Sequence, residues 1–166
     1  FLGEKTMYVL DSNTFIDAKN RYYGFDIVPS FWNELISHSR GNILTIDHIK
    51  NEIMSGNDEL SIWFDTHYLR FTEATNDVEI QNTYADIAEY VMLNQQYKDA
   101  EKHRFLAKAD PWLIAYASVR RGVVVWSEGK HGQNSSVQDV VSYAQEVSDS
   151  INGYVKMKVS YGSCQI

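Results

Sequence analysis

The chain has 166 residues, a formal charge of −7 and a pI near 5.1. Its hydrophobic content of 44% is enough for the core of one domain, and its 2 prolines and 9 glycines exclude long low-complexity linkers. No apolar run approaches the roughly 18 residues that span a bilayer. The single cysteine, Cys164, cannot form an intrachain disulfide. These features predict a cytoplasmic globular protein without a membrane segment.

The first half of the chain alternates between strand and helix signals. The apolar run Tyr8–Leu10 predicts a first strand, followed by a loop or helix. Pro29 is suited to the first turn of a helix, because apolar residues at helical spacing follow it. Ile43–Ile46 predicts a second strand, and Asp47 is expected to be the N-cap of the next helix.

The middle of the chain is mostly helical in pattern. A break is expected at 56–58, where Gly, Asn and Asp follow one another. Residues 68–72 are the weakest strand candidate. Two long helices are predicted next, over 78–91 and from about 97 to 106, from their apolar spacing.

The last well-marked unit is a helix followed by a strand. Asp110 is expected to cap this helix, because Pro111 follows it and proline favours the first helical turn. The helix should end near Gly122, and the wholly apolar run Val123–Trp126 predicts a strand buried on both faces. Strands that alternate with helices predict an α/β fold whose parallel sheet is covered on both sides.

The two ends of the chain are less clearly patterned. Residues 1–6 precede a methionine and are expected to be a leader outside a single domain that spans 7–166. From 129 to 166 the sequence becomes rich in Ser, Gln, Asp and Gly. We expect one helix there, over 137–147, and one edge strand, within 154–161.

Four acidic residues stand near predicted strand ends or helix starts: Asp11, Glu52, Asp110 and Glu128. Because the carboxyl ends of parallel strands line one crevice, these carboxylates could meet in space. Such a group would repel itself strongly unless a hard divalent cation such as Mg²⁺ or Mn²⁺ bound there. Each acid also has an ordinary structural interpretation. Asp11 could be a turn or cap residue and Glu52 an exposed helix residue, whereas Asp110 could be an N-cap and Glu128 a loop acid.

Basic and polar residues lie close to these acids in the sequence. Ser12 and Asn13 could orient Asp11 or a water bound to the cation. The cations that could hold backbone phosphates are Lys19, Arg21, Lys108 and Lys130. The aromatic residues that could stack on bases are Tyr22, Tyr23 and Trp126. A solvated surface and core aromatics are the simpler interpretations of the same residues.

The order of the acids and the sequence around them resemble a known family. Five segments carry the resemblance: YVLDSNTFI at 8–16, AKNRYYGFD at 18–26, Pro29 with Phe31 and Trp32, IDHIKNEI at 46–53 and ADPWLIAYA at 109–117. They resemble the PIN-domain family, and within it a bacterial PIN-like subfamily similar to DUF4411. The resemblance covers roughly 7–128, and the sequence from 129 onward departs from the PIN-like pattern.

The resemblance implies a three-layer α/β/α PIN-like fold and a metal-dependent endoribonuclease. Asp11, Glu52 and Asp110 match the first three acidic positions of the family, and Glu128 matches the fourth by its place after the last clear strand. They would serve as catalytic and metal-binding residues for Mg²⁺ or Mn²⁺. Many relatives are toxins of toxin–antitoxin pairs, which implies RNA as substrate and an antitoxin or regulator encoded nearby. Relatives often form homodimers through helices.

Other functions remain to be compared with the nuclease. A phosphatase of the haloacid dehalogenase type needs a second acid where this chain has Asn13, and a response-regulator receiver needs an acidic pair and a lysine that are not convincingly placed. A catalytically inactive PIN-like module that binds RNA or a protein partner is the main alternative. His48, His67 and His103 have no zinc-site spacing with Cys164, so we expect structural or surface roles for them.

Overall fold

The computed structural model describes residues 7–126 and 156–159, with backbone alone for 126 and 156–159. Five parallel strands form one sheet in the order β3-β2-β1-β4-β5. They are β1 Tyr8–Leu10, β2 Ile43–Ile46, β3 Thr72–Glu73, β4 Val123–Trp126 and β5 Lys156–Val159. The parallel sheet predicted from the alternating pattern is therefore confirmed.

Seven α-helices are found in the described part of the chain. They are α1 Ser12–Asp17, α2 Pro29–Ser39, α3 Asp47–Ser55, α4 Glu59–Trp63, α5 Val78–Leu93, α6 Asp99–Leu106 and α7 Asp110–Arg120. π-helical turns extend α1 over Ala18–Tyr22 and α4 over Phe64–Tyr68, and a 3-10 turn, Leu69–Phe71, precedes β3. The helices flank the sheet, which confirms the three-layer α/β/α fold. Within the described residues, no helix has the length and apolar character needed to cross a membrane.

The strand order reverses beside β1, and open α/β sheets form their ligand-binding crevice at the carboxyl ends of strands at such a point. This strand is central, with Val9 paired to Leu44 of β2 on one side and to Val124 of β4 on the other. The chain leaves β1 toward β2 and returns later to β4 on the opposite side, so the strand order reverses between β1 and β4. Ligands of open α/β sheets bind at such a reversal, outside the carboxyl ends of the strands.

The core around this crevice is formed by apolar residues of the central strands and of α3. Val9, Ile46 and Val124 are at most 2% exposed, as expected for strands covered on both faces. Ile49 and Ile53, one turn apart on α3, are also buried. This packing fixes the first turns of α1 and α3 against the strand ends from which they emerge.

Two local predictions are wrong. The strand expected at 68–72 is reduced to Thr72–Glu73, because Tyr68 ends a π-helical turn, where its buried hydroxyl shares a 2.7 Å hydrogen bond with Ser39 Oγ. Asp47 is the first residue of α3 and not its N-cap, which is Ile46. Its carboxylate instead accepts hydrogen bonds from Thr75, 28 residues further along the chain.

The C-terminal edge strand is confirmed, since Lys156–Val159 pairs in parallel with β4. The leader expected at 1–6, the helix expected at 137–147 and the acid Glu128 all lie outside the described residues.

Candidate active site

Asp11 occupies the strand-order reversal at the end of β1. Its backbone N–H donates to the carbonyl of Val125 in β4 at 3.0 Å, and its carboxylate caps α1 by accepting from the N–H of Asn13 at 3.4 Å. The hydroxyl of Thr14 donates to the same carbonyl at 3.0 Å. The side chain is only 2% exposed. Asp11 is thus held rigidly between β1, β4 and the first turn of α1.

Glu52 of α3 bridges the segments that carry the other two acids. One of its carboxylate oxygens accepts from Ser12 Oγ at 2.8 Å, and the other accepts from the N–H of Ala109 at 3.0 Å. Ser12 directly follows Asp11, and Ala109 directly precedes Asp110. The Glu52 carboxylate therefore lies between the two aspartates, on an otherwise exposed residue.

Asp110 does not cap α7, contrary to the prediction from the sequence. The helix starts one residue earlier than expected, because Ala109 already has helical backbone angles and its carbonyl accepts from the N–H of Leu113 at 2.9 Å. The next residue, Pro111, has no N–H to offer. The Asp110 carboxylate has no hydrogen-bond partner among the described residues. An N-cap role therefore does not explain the Asp110 carboxylate, which is available to a ligand.

Burial and mutual repulsion disfavour the ionised forms of both aspartates. Burial, followed by the negative charge of Asp110, raises the pKa of Asp11 from 3.8 to about 7. Burial, followed by the charge of Glu52, raises the pKa of Asp110 to about 6, although the nearby ammonium of Lys108 opposes that change. The three acids from separate elements are thus close enough to repel one another. The sequence prediction that Asp11, Glu52 and Asp110 meet agrees with this geometry.

The donor chemistry of the three acids fits a hard divalent cation. Carboxylate oxygens are the ligands that Mg²⁺ and Mn²⁺ prefer, and a cation would reverse the repulsion that raises the two pKa values. In residues 7–126 and 156–159, however, no group of three His, Cys, Asp or Glu side chains is already placed to hold a metal ion. Asp110 has no competing hydrogen bond among the described residues. Asp11 has contacts of 3.4 Å on each oxygen, which are longer than those of 2.8 and 3.0 Å that engage both oxygens of Glu52.

The predicted phosphate-binding cations differ in their surroundings. Lys108 is exposed two residues before Asp110. Lys19 lies 3.8 Å from Asp58 and 3.7 Å from Glu59, and Arg21 pairs with Asp17 at 3.3 Å. Lys108 is therefore the cation that the described site brings nearest to the acids.

The aromatic residues that were considered for base stacking also differ. Tyr22 is 50% exposed, whereas Tyr23 is stacked on Phe31 with ring centroids 4.1 Å apart. Tyr22 is therefore the better placed of the two to meet a base. The side chain of Trp126, like Lys130, lies outside the described residues.

A second polar cluster, which the sequence analysis missed, adjoins the acids. Asp47, His48 and Thr75 are joined by hydrogen bonds of 2.8 to 3.1 Å. The ring of His48 stacks on Trp112 of α7, and the other contact of Trp112 is Tyr84 of α5. The only sequence signal for this cluster is the Asp-His pair one turn before Glu52, since Thr75 is remote along the chain.

One family model, for a domain of unknown function named DUF4411, matches residues 8–148. The chain belongs to this family. The match includes all three of the acids that meet in the structure, and it continues past Glu128 into the region where the PIN-like pattern was expected to stop. No curated protein matches the chain. The DUF4411 description itself names no activity, so the function has to be argued from the site.

Proposed function

We propose that this DUF4411 protein is a metal-dependent endoribonuclease that cleaves RNA phosphodiesters. The observation that carries the proposal is the pair formed by the buried Asp11 and the partly buried Asp110, whose pKa values are raised where Glu52 links their segments. Carboxylates whose pKa values are strongly perturbed by burial and by a specific neighbouring charge are candidates for a functional site. A parallel α/β sheet with this strand order also binds its ligands at this position.

In the proposed mechanism, the residues of the site have different roles. Asp11, Asp110 and Glu52 would hold Mg²⁺ or Mn²⁺, with Glu128 as a fourth donor in the proposal. When bound, the cation would activate a water and offset the charge on the leaving oxygen. Ser12 fixes the orientation of Glu52, and Lys108 would attract the phosphate backbone.

The biological role that we propose is that of a cytoplasmic toxin in a toxin–antitoxin pair, with a neighbouring antitoxin or regulator as its protein partner. This part of the proposal rests on the resemblance of the segments around Asp11, Glu52 and Asp110 to PIN-like toxins. Induced expression should then arrest growth of a bacterial host, and the arrest should be lost with Asp11→Asn. Normal growth of cells that contain active nuclease would contradict the toxin role and leave the nuclease proposal intact.

The direct test is RNA cleavage by the purified protein. We expect cleavage of structured RNA with Mn²⁺ or Mg²⁺, none with EDTA, and a loss of about 100-fold or more in Asp11→Asn and Asp110→Asn. Asp86→Asn, an exposed aspartate of α5, is the matched control and should keep full activity. If wild type and site variants cleave equally, or if none cleaves, the nuclease proposal fails. Metal-independent RNA binding without cleavage would then favour the inactive module.

A further inference from the structure

The imidazole of His48 is held in one orientation by three neighbours. Nδ1 lies 2.9 Å from Asp47 Oδ1 and 3.0 Å from Thr75 Oγ1. The ring face lies on Trp112, with centroids 4.4 Å apart and an angle of 14° between the planes. Tyr84 stacks on Trp112 at 3.9 Å and donates its hydroxyl hydrogen to the carbonyl of Leu106 at 3.2 Å. An imidazole restrained in this way can contact a ligand without first changing its orientation.

The hydrogen bonds around Nδ1 determine which nitrogen carries the proton. The single hydroxyl hydrogen of Thr75 is directed to Asp47 Oδ1 at 2.9 Å, so the Thr75 oxygen offers only lone pairs to His48. Nδ1 therefore faces two acceptors and must be the donor. Nε2 has no hydrogen-bond partner among the described residues, and the side chain is 33% exposed. An Asp–His pair in this arrangement fixes the tautomer and presents Nε2 outward, where it can transfer a proton.

His48 also lies beside the acidic cluster. It precedes Glu52 by four residues on α3, a spacing that brings side chains to within about 5–6 Å at Cβ on one helix face. Its stacking partner Trp112 lies in the first turn of α7, two residues after Asp110. His48 is thus tied to α3 and α7, the two helices that carry Glu52 and Asp110.

We propose that the His48 imidazolium donates its Nε2 proton to the ribose oxygen that leaves when RNA is cleaved at the acidic cluster. This inference rests on the proposed nuclease function. In the step, a bond forms between phosphorus and the oxygen of a water, and the bond between phosphorus and the leaving ribose oxygen breaks. The water releases one proton to solvent, the leaving oxygen takes the Nε2 proton, and His48 recovers a proton from solvent. Asp47 and Thr75 are positioning residues that keep Nε2 directed outward.

The test compares two leaving atoms in one RNA. The cleavage site is first mapped with the wild-type protein, and a second RNA then carries sulfur in place of the leaving oxygen. A thiolate leaves without protonation, so a proton donor matters only for the oxygen substrate. We expect His48→Gln to slow cleavage of the oxygen substrate by about 100-fold and to cleave the sulfur substrate at nearly the wild-type rate.

Two controls isolate the imidazole. His67→Gln removes an exposed imidazole from the turn after α4 and should leave both rates unchanged. Asp47→Asn keeps the imidazole but removes the negative charge that Nδ1 faces, so it should also slow only the oxygen substrate, by a smaller factor. It serves as the second variant if His48→Gln does not fold. Nitrogen-15 NMR of the neutral imidazole should place the proton on Nδ1.

The outcomes separate the two proposals. An equal loss on both substrates, or no loss on either, overturns the role of His48 and leaves the nuclease standing. A neutral imidazole protonated on Nε2 overturns the inference as well. A wild-type protein that cuts no RNA at all defeats the proposed function first, and the role of His48 with it.

Discussion

Replacing Asp11 with asparagine should make the metal-free protein more stable at neutral pH while removing its activity. Burial and the charge of Asp110 raise the pKa of Asp11 to about 7, so its ionised form opposes folding. Asparagine has no charge, and its side-chain oxygen can still accept from the N–H of Asn13. The substitution therefore removes the repulsion and keeps the cap of α1.

The size of the stability gain, and the pH range over which it appears, follow from the difference between the pKa values of Asp11 in the unfolded and folded states. Each pKa unit corresponds to about 1.4 kcal/mol, so the rise from 3.8 to about 7 gives a ceiling of about 4 kcal/mol. Because the folded state binds the proton more tightly, the free energy of unfolding falls as pH rises from 3.8 to about 7 and is constant above it. The new amide must also be accommodated in a buried site. We expect a net gain of about 2 kcal/mol at about pH 8, or roughly 4–8 °C in Tm.

The assay is thermal and urea unfolding in EDTA at two pH values. The gain of Asp11→Asn over wild type should be full at about pH 8 and below about 1 kcal/mol at about pH 4, where Asp11 is protonated in the folded state and its charge no longer opposes folding. Asp86→Asn should show neither the gain nor its pH dependence, because Asp86 is exposed. The reasoning is refuted if Asp11→Asn is less stable than wild type at the higher pH, or if the same gain appears at both.

Three further predictions concern the cation, the bridge and the sheet. Mn²⁺ or Mg²⁺ should raise the Tm of the wild type in calorimetry, and by much less in Asp110→Asn, because a ligand that binds only the folded state stabilises it. Ser12→Ala, which removes the 2.8 Å bond to Glu52, should slow RNA cleavage about tenfold; an unchanged kcat would show that the bridge is unimportant. Gly122→Ala should lower the urea-derived stability by about 1 kcal/mol, since its Cβ would lie 3.1 Å from Val9 Cγ2.

The sequence alone was sufficient to predict the parallel sheet and the approach of Asp11, Glu52 and Asp110, because both depend on where the strands end. Apolar runs such as Val123–Trp126 and Ile43–Ile46 have few alternatives to buried strands, and parallel pairing then brings Asp11 to a common edge. Helix boundaries were less predictable. The cap expected at Asp110 lies at Ala109, where no side chain marks the helix start.

The individual hydrogen bonds between distant segments could not be predicted. Glu52 is fixed in part by the backbone N–H of Ala109, and a backbone donor leaves no signature in the sequence. The environment of His48 depends on Thr75, which meets it only because β3 pairs with β2. The sequence interpretation of His48 as a structural or surface residue was therefore made without the neighbours that orient its ring.

The carboxylates at this edge of the sheet affect stability in opposite directions, and the contrast bears on function. Partial burial alone would raise the pKa of Asp47, but hydrogen bonds from Thr75 and His48 lower it, so ionised Asp47 supports the fold. Ionised Asp11 and Asp110 oppose the fold, since burial raises their pKa values and no ion pair compensates them in the described residues. A protein that needed only to be stable would gain from the replacement of Asp11 and Asp110, but not from the replacement of Asp47. Charge that opposes folding at the strand-order reversal is the feature that the proposed cation would offset.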